Sequence, residues 1–385
     1  MRRSVYTEDH ESFRSSVRSF VEREVSPYFA QWEKDGLPDK DIYRKAAESG
    51  LIGMQIPEEY GGAGETSYKY NAVFIEETIR ADANLGSMRV HSEVCLPYLL
   101  HLTNDEQKSR WLPEVAAGRM VLAIAMTEPG TGSDLAGIAT TAVRDGDSYV
   151  LNGGKTFITG GRNADRVLVV CRSSAGDDSD RRGGLSILVV DTTSEGFAVG
   201  RMLDKLGLHA QDTVELSFAD VRVPAEDLLG EEGHAFEYLA HNLPQERLTI
   251  AVGATAAATR AIQLASTHAN DRKIFGKPLS TFQNTKFVLA ECAAETAAAQ
   301  AMVDQALEAH DRGELGLVDA AKLKLFTTEV QARVIDKCLQ IHGGYGYITE
   351  YPIARLYADA RISRIYGGTS EVMKTIIAKS LDLAR

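Results

Sequence analysis

Two short strings carry residues able to do acid–base and recognition chemistry. Leu243-Pro244-Gln245-Glu246-Arg247-Leu248 sets a carboxylate beside a guanidinium, just after a proline. Proline cannot donate from its nitrogen, so Asn242–Gln245 either caps a helix start or kinks a longer helix at Pro244. Taken alone, Glu246 is a solvated acid near a helix N-terminus, favoured there by the dipole. The second string, Ala125-Met126-Thr127-Glu128-Pro129-Gly130-Thr131-Gly132-Ser133-Asp134, combines hydroxyls and main-chain N–H groups with two glycines. Such a loop can hydrogen-bond an electron-rich ring or cradle a phosphate, with glycine where backbone must approach closely. By residue type alone a polar turn is the default reading.

The elements that must position these residues follow from the hydrophobic period. Residues 1–120 read as helical, with Phe13, Val17, Phe20 and Val21 at amphipathic spacing and a break at Gly61–Gly64. From Val121 the period shortens. Val121–Met126, Tyr149–Leu151, Lys155–Ile158, Arg166–Cys171, Leu185–Asp191 and Val214–Val221 read as strands, separated by turns such as Asp145-Gly146 and Asn152-Gly153. Residues 121–230 are therefore expected to form a small antiparallel β-barrel or sandwich. Residues 231–385 return to helix at Glu246–Asn270, Phe282–His310, Leu317–Ile341 and Thr369–Leu383, and are expected to pack as a four-helix bundle. The reading is an α+β multidomain chain in the order helix, β, helix. Ser173–Gly184 is its most loop-like stretch.

Composition narrows the function. A formal charge of −12 argues against a nucleic-acid surface. Four widely spaced cysteines without metal-ligand spacing suggest free thiols, and no secretory or membrane-spanning run is evident. A cytoplasmic protein is expected.

Five separated motifs together resemble the acyl-CoA dehydrogenase family over nearly the whole chain. In the loop at Ala125–Asp134, the resemblance implies that the main chain at Met126 and Thr127 contacts FAD, and that Ser133 contacts the substrate. Lys155-Thr156-Phe157-Ile158-Thr159-Gly160 is similar to the segment that stacks an aromatic ring, here Phe157, on the flavin and bonds it through Thr159. Many members carry Trp at that position. Gly207–Thr213 and Asp220–Pro224 match later β-domain motifs and read as structural. Arg272-Lys273-Ile274-Phe275-Gly276, followed by Gln283, resembles the segment reaching the FAD of a neighbouring subunit. Arginine suits a pyrophosphate because its planar fork bonds two oxygens; alone, Arg272 would be a surface charge. Gln340, Gly343 and Gly344 resemble the other half of that inter-subunit site, where His342 alone would be a helix-end histidine.

The last motif is Ile365-Tyr366-Gly367-Gly368-Thr369-Ser370-Glu371-Val372. Many family members place a catalytic glutamate where this chain has Gly367. The resemblance of Leu243–Leu248 to long-chain and isovaleryl-CoA dehydrogenases implies that Glu246 supplies the base instead, into volume that Gly367 vacates. Gly367 and Gly368 keep backbone contacts to the thioester, Arg247 is a substrate contact or a partner of Glu246, and Thr369 and Glu371 hold flavin-contacting positions. Glu128 and Glu237 are weaker candidates for the base. Leu85–Pro97 is expected at the far end of the pocket, where Arg89 would favour a polar or acidic acyl terminus unless it is a surface arginine.

The implied activity is FAD-dependent α,β-dehydrogenation of an acyl-CoA, as in fatty-acid β-oxidation, with electrons passed to an electron-transfer flavoprotein. A homotetramer or homodimer is implied. Alternatives are a carrier-protein-bound acyl substrate, a flavin oxidase or monooxygenase on the same scaffold, and an acyl-CoA-binding relative without FAD.

Overall fold

The computed structural model describes residues 3–174 and 181–381, so half of the expected Ser173–Gly184 loop and the end of the expected last helix lie outside it. The chain opens with α1 (Glu8–Phe20), a π-turn (Val21–Val25), α2 (Ser26–Asp35), α3 (Asp41–Glu48) and α4 (Lys69–Arg80). There follow α5 (Gly86–Arg89), a second π-turn (Val90–Cys95), α6 (Leu96–Leu102) and α7 (Asp105–Ala116). The π geometry matters for the site. It widens one turn and leaves carbonyls that another element must satisfy.

Eight strands among the described residues form one sheet: β1 (Leu122–Ala125), β2 (Thr141–Asp145), β3 (Ser148–Thr159), β4 (Arg166–Arg172), β5 (Leu185–Asp191), β6 (Phe197–Met202), β7 (Thr213–Pro224) and β8 (Leu228–Leu229). Their order is β6-β7-β3-β2-β4-β5-β8, with β1 on β4. The sheet is mostly antiparallel, but β1 runs parallel to β4, and Thr141 of β2 pairs parallel with Arg172. The two short strands expected at Tyr149–Leu151 and Lys155–Ile158 are one strand, β3. Asn152-Gly153 is a register shift against β7 and not a turn.

The last part contains α8 (Ala235–Asp271), the two-residue strands β9 (Lys273–Ile274) and β10 (Lys277–Pro278), α9 (Gln283–Asp311), α10 (Leu317–His342), α11 (Pro352–Ala360) and α12 (Ser370–Lys379). Alanines 251, 258, 261 and 265 of α8 pack against Cys292, Ala299 and Val303 of α9 and Leu323, Val330 and Val334 of α10. Small side chains let these axes approach closely, and alanine adds helix propensity. By length and apolarity α8 would also suffice to cross a bilayer, but 67% of its apolar 18-residue window is buried inside the protein. Its apolar face is spent on the bundle. Pro244 lies inside α8, so the longer helix is formed and Asn242 is no cap.

Candidate active site

Glu246 sits within α8 and is buried. Two neutral donors reach its carboxylate: Tyr98 Oη at 3.3 Å and Asn242 Nδ2 at 3.2 Å. Burial pushes the carboxyl up to about 7, against the pull of these two bonds and the nearby Arg247 charge. The π-turn at Val90–Cys95 holds this part of α8 in place. Asn242 Nδ2 donates to Val94 O at 3.2 Å and Gln245 Nε2 to Glu93 O at 2.8 Å, so residues flanking Glu246 satisfy the carbonyls which the wide turn leaves open.

Arg247 turns away from Glu246 and makes no ion pair with it. Its Nε donates to Gly367 O at 3.4 Å, while Nη1 is buried without an acceptor among the described residues. The next carbonyl, Gly368 O, accepts from Lys324 Nζ at 2.7 Å. Burial, with the Arg247 charge second, lowers Lys324 to about 8. Two cations thus grip the carbonyls of residues 367 and 368. Neither glycine's N–H finds a protein acceptor among the described residues, which leaves two free donors beside α8. Gly367 (φ +62°) and Gly368 (φ +93°) are left-handed, so this carbonyl-in arrangement suits residues without a side chain. Thr369 closes the loop by accepting the Val372 N–H as the cap of α12.

A side chain at Gly367 would have to displace the tip of Ile250. A Cβ there would fall 2.4 Å from Ile250 Cδ1, one turn beyond Glu246 on α8. Local spacing does give a signal for two partners that sequence reading missed. Asn242 is four residues before Glu246, on the same helical face. Lys324 falls on the buried stripe Ala320, Ala321, Thr327, Thr328, Gln331 of α10. For Tyr98 no local pattern exists.

Residues of the Ala125–Asp134 loop and of β3 come together as a second cluster. Thr156 N–H donates to Thr127 O at 3.0 Å, and Lys155 Nζ to Met126 O at 2.9 Å and to Glu128 Oε1 at 2.8 Å. Glu128 also accepts from the N–H groups of Ala139 and Thr140, so it braces the loop and is not free to act as a base. Ser133 is exposed on the same loop. Phe157 lies at a register shift of β3, at φ +62° and 66% exposed, and Gln211 Nε2 donates to Thr159 Oγ1 at 3.3 Å. A bulge of this kind re-aims a side chain, and a left-handed phenylalanine costs about 1–2 kcal/mol.

A third cluster lies at one end of the bundle. His268 stacks on His342 with centroids 4.5 Å apart, and the Arg272 guanidinium lies 5.7 Å from the Tyr345 ring centre. This brings Arg272, Phe275 and Gln283 to the same end as Gln340, Gly343 and Gly344, all of them exposed. Phe275 is 92% exposed and also left-handed, and a Cβ on Gly343 or Gly344 would meet nothing within 4 Å. Among the described residues, no hydrogen bond, ion pair or ring contact joins this cluster to the one on the sheet.

A flavin dinucleotide fits what these two clusters offer. Phe157 presents a bare aromatic face beside main-chain and hydroxyl donors, and the bundle end presents a guanidinium beside open glycines. The other sequence candidates lie at the surface. Glu371 is exposed on the first turn of α12, and Glu237 is exposed beside His234 at 3.4 Å.

Comparison with known proteins gives the family. The acyl-CoA dehydrogenase N-terminal, middle and C-terminal domains match residues 7–119, 123–221 and 233–381. The chain is 41% identical over 379 residues to the mitochondrial long-chain specific acyl-CoA dehydrogenase of Sus scrofa, covering 98% of this chain and 88% of that protein. It is 38% identical over 378 residues to a 3-(aryl)acrylate reductase of Clostridium sporogenes, covering 98% and 99%. The crystal structure of an acyl-CoA dehydrogenase from Geobacillus kaustophilus superposes with a TM-score of 0.97 at 43% identity, over 99% of this chain and all of that one. With its three domains matched in order and a fold superposable from end to end, the chain belongs to the acyl-CoA dehydrogenase family.

Proposed function

We propose that this protein is an FAD-dependent oxidoreductase that desaturates an acyl-CoA thioester to the trans-2-enoyl-CoA, with Glu246 taking the α-proton. The observation that carries this reading is the buried Glu246 carboxyl held near 7, on the helix whose next residue grips Gly367. A carboxylate there is basic enough to accept a proton and is ionised in useful amount at neutral pH. The free N–H groups of Gly367 and Gly368 are suited to the thioester oxygen, where they stabilise the charge that develops as the α-proton leaves. Arg247 and Lys324 hold the loop carbonyls inward so that those N–H groups stay available. Ser133 and the unpaired Nη1 of Arg247 supply further polar contacts to the substrate.

Met126, Thr127, Phe157, Thr159, Thr369 and Glu371 would hold the flavin ring and its near side. Arg272, Phe275, Gln283, Gln340, Gly343 and Gly344 would hold the dinucleotide of a neighbouring subunit. FAD supplies the acceptor for the hydride that leaves the β-carbon. The separation of the two clusters within one chain supports a homodimer or homotetramer with shared cofactor sites. Exposed aromatics such as Phe275 and Tyr347 support the same reading. Electron-transfer flavoprotein is the acceptor that this chemistry calls for, and four buried, unpaired cysteines support a reducing, cytoplasmic setting.

Anaerobic mixing of the holoprotein with a panel of C4 to C16 and branched acyl-CoA thioesters tests the proposal through bleaching of the flavin absorbance. Glu246→Gln should slow bleaching about 10²–10⁴-fold with FAD content unchanged. Undiminished bleaching would remove Glu246 from the role. A phosphopantetheinyl carrier-protein thioester run beside its CoA counterpart reads which thiol handle is preferred.

A further inference from the structure

The face of α8 that carries Glu246 continues through Ile250, Gly253, Ala254 and Ala257, at i+4, i+7, i+8 and i+11. These four residues line a cavity together with Tyr366 and Arg89. Because Tyr366 precedes Gly367 and Ile250 packs on it, the cavity adjoins the loop that offers the free N–H groups. Arg89 lines this cavity and is no surface arginine, being only 8% exposed. Its Nη2 donates to Thr249 O at 3.0 Å, and its Nε is buried without an acceptor. No carboxylate among the described residues lies within ion-pairing distance of it. Gly253 makes room for it: a Cβ there would stand 3.2 Å from both Nη1 and Nη2.

The other charges around the cavity are already matched or muted. Asp82 pairs with Arg260 at 2.6 Å, and Arg355 with Glu33 at 2.7 Å. Asp359 accepts the Leu208 N–H, and burial pushes it up to about 6. Glu93, one helical turn from Arg89, accepts from Tyr68 Oη at 2.9 Å; burial pushes it up to about 7 against the pull of the Arg89 charge, which lies beyond ion-pairing distance. A buried guanidinium with unspent donors is costly, and a planar carboxylate is the group that satisfies its fork.

We propose that the acyl group accepted here carries a carboxylate at its far end, and that Arg89 recognises it. The substrate class is then an ω-carboxyacyl thioester. Between Glu246 and Gly253 the helix rises about 10 Å, so an acyl chain of about six to ten carbons spans from the base to the guanidinium. This inference rests on the assignment of the thioester and its α-carbon to Glu246.

The test uses the Glu246→Gln holoprotein, in which binding is read without turnover. The flavin absorption is titrated with α,ω-dicarboxylic mono-CoA thioesters and with methyl-ended acyl-CoA thioesters of equal length. The carboxylate-ended series should bind about 10–100-fold tighter, and Arg89→Met in that background should abolish or reverse the preference. Arg89→Lys, which keeps the charge but loses the fork, should retain part of it. Tighter binding of the methyl-ended series, or a preference untouched by Arg89→Met, overturns the proposal while leaving Glu246 in its role. If neither series perturbs the flavin, the thioester reading of the site falls and this proposal with it. The Glu246→Gln protein carries the comparison even if an Arg89 variant fails to fold.

Discussion

Ile250 occupies the space that a side chain on Gly367 would need, its Cδ1 lying 2.4 Å from the point where a Cβ would stand. A side chain at 367 would therefore have to push the movable end of Ile250 aside. Gly367 is also left-handed, which costs a side-chain-bearing residue about 1–2 kcal/mol. Placing Gly367→Glu on the Glu246→Gln background should recover little flavin reduction. Adding Ile250→Ala should raise the rate by about two- to fivefold, because it removes a contact that Ile250 can also relieve by shifting its Cδ1. Equal recovery with and without Ile250→Ala would show that the packing is not the barrier.

The pH dependence of flavin reduction follows from the same carboxyl. Glu246 accepts a proton only when ionised, and burial holds it near 7. The rate should rise as pH passes about 7 and level off above it. Tyr98 and Asn242 both pull this value down, so Tyr98→Phe should move the acid limb upward by roughly one pH unit or less. A limb that stays fixed, or moves to lower pH, contradicts the assigned hydrogen bond.

Stability should show the opposite sign from an ordinary salt-bridged acid. The folded-state value of Glu246 lies above its unfolded value of 4.5. The folded protein therefore holds the proton longer, and stability falls as pH rises from about 4.5 through 7. Glu246→Gln removes this loss. It should raise the unfolding free energy at pH 8 by up to about 3 kcal/mol and have little effect at pH 4, measured by denaturant melts at both values. A gain of the same size at both pH values would point to packing and not to charge.

Glu128 and Lys155 form the buried pair that braces the Ala125–Asp134 loop, 2.8 Å apart. Burial alone would raise Glu128, but bonds from Lys155, Thr140 and Ala139 together outweigh it and hold the carboxyl below its ordinary value. Lys155→Met would leave that carboxylate buried and unmatched. The expected loss is about 3–5 kcal/mol, with weakened FAD retention, read by thermal melts and by flavin release on dilution. Unchanged melting would mean that the loop is braced by its backbone bonds alone.

Much of the architecture is legible from hydrophobic period. The switch from amphipathic helix to short strands near Val121, and back after Gly230, gives the helix–β–helix order. The helix expected at Leu317–Ile341 ends one residue later, at His342. Strands β2 and β6 escape such reading for a physical reason. β2 buries one residue in five, and β6 buries none fully and sets only Phe197 and Val199 half-buried against the sheet, so the apolar pattern of each is short and hydrogen bonding to neighbours completes them as strands. Helix α11 was likewise unforeseen.

At the site, sequence alone determined that a carboxylate, a guanidinium and two pairs of glycines exist in a recognisable order, and it was the family resemblance, with glycine at 367, that singled out Glu246. Tertiary structure decided the rest. Local preference left Pro244 open between a helix start and a helix interior, and docking of Asn242 and Gln245 on the π-turn goes with the continuous helix. Whether Arg89 is a surface charge or a cavity wall, and whether Ile250 or a carboxylate fills the space at Gly367, depends on elements more than a hundred residues apart. A sequence pattern reports what each segment prefers locally. Solvent exclusion and the proximity of distant donors set the proton affinity of Glu246, and those arise only when α8, the π-turn and the Gly367 loop are packed together.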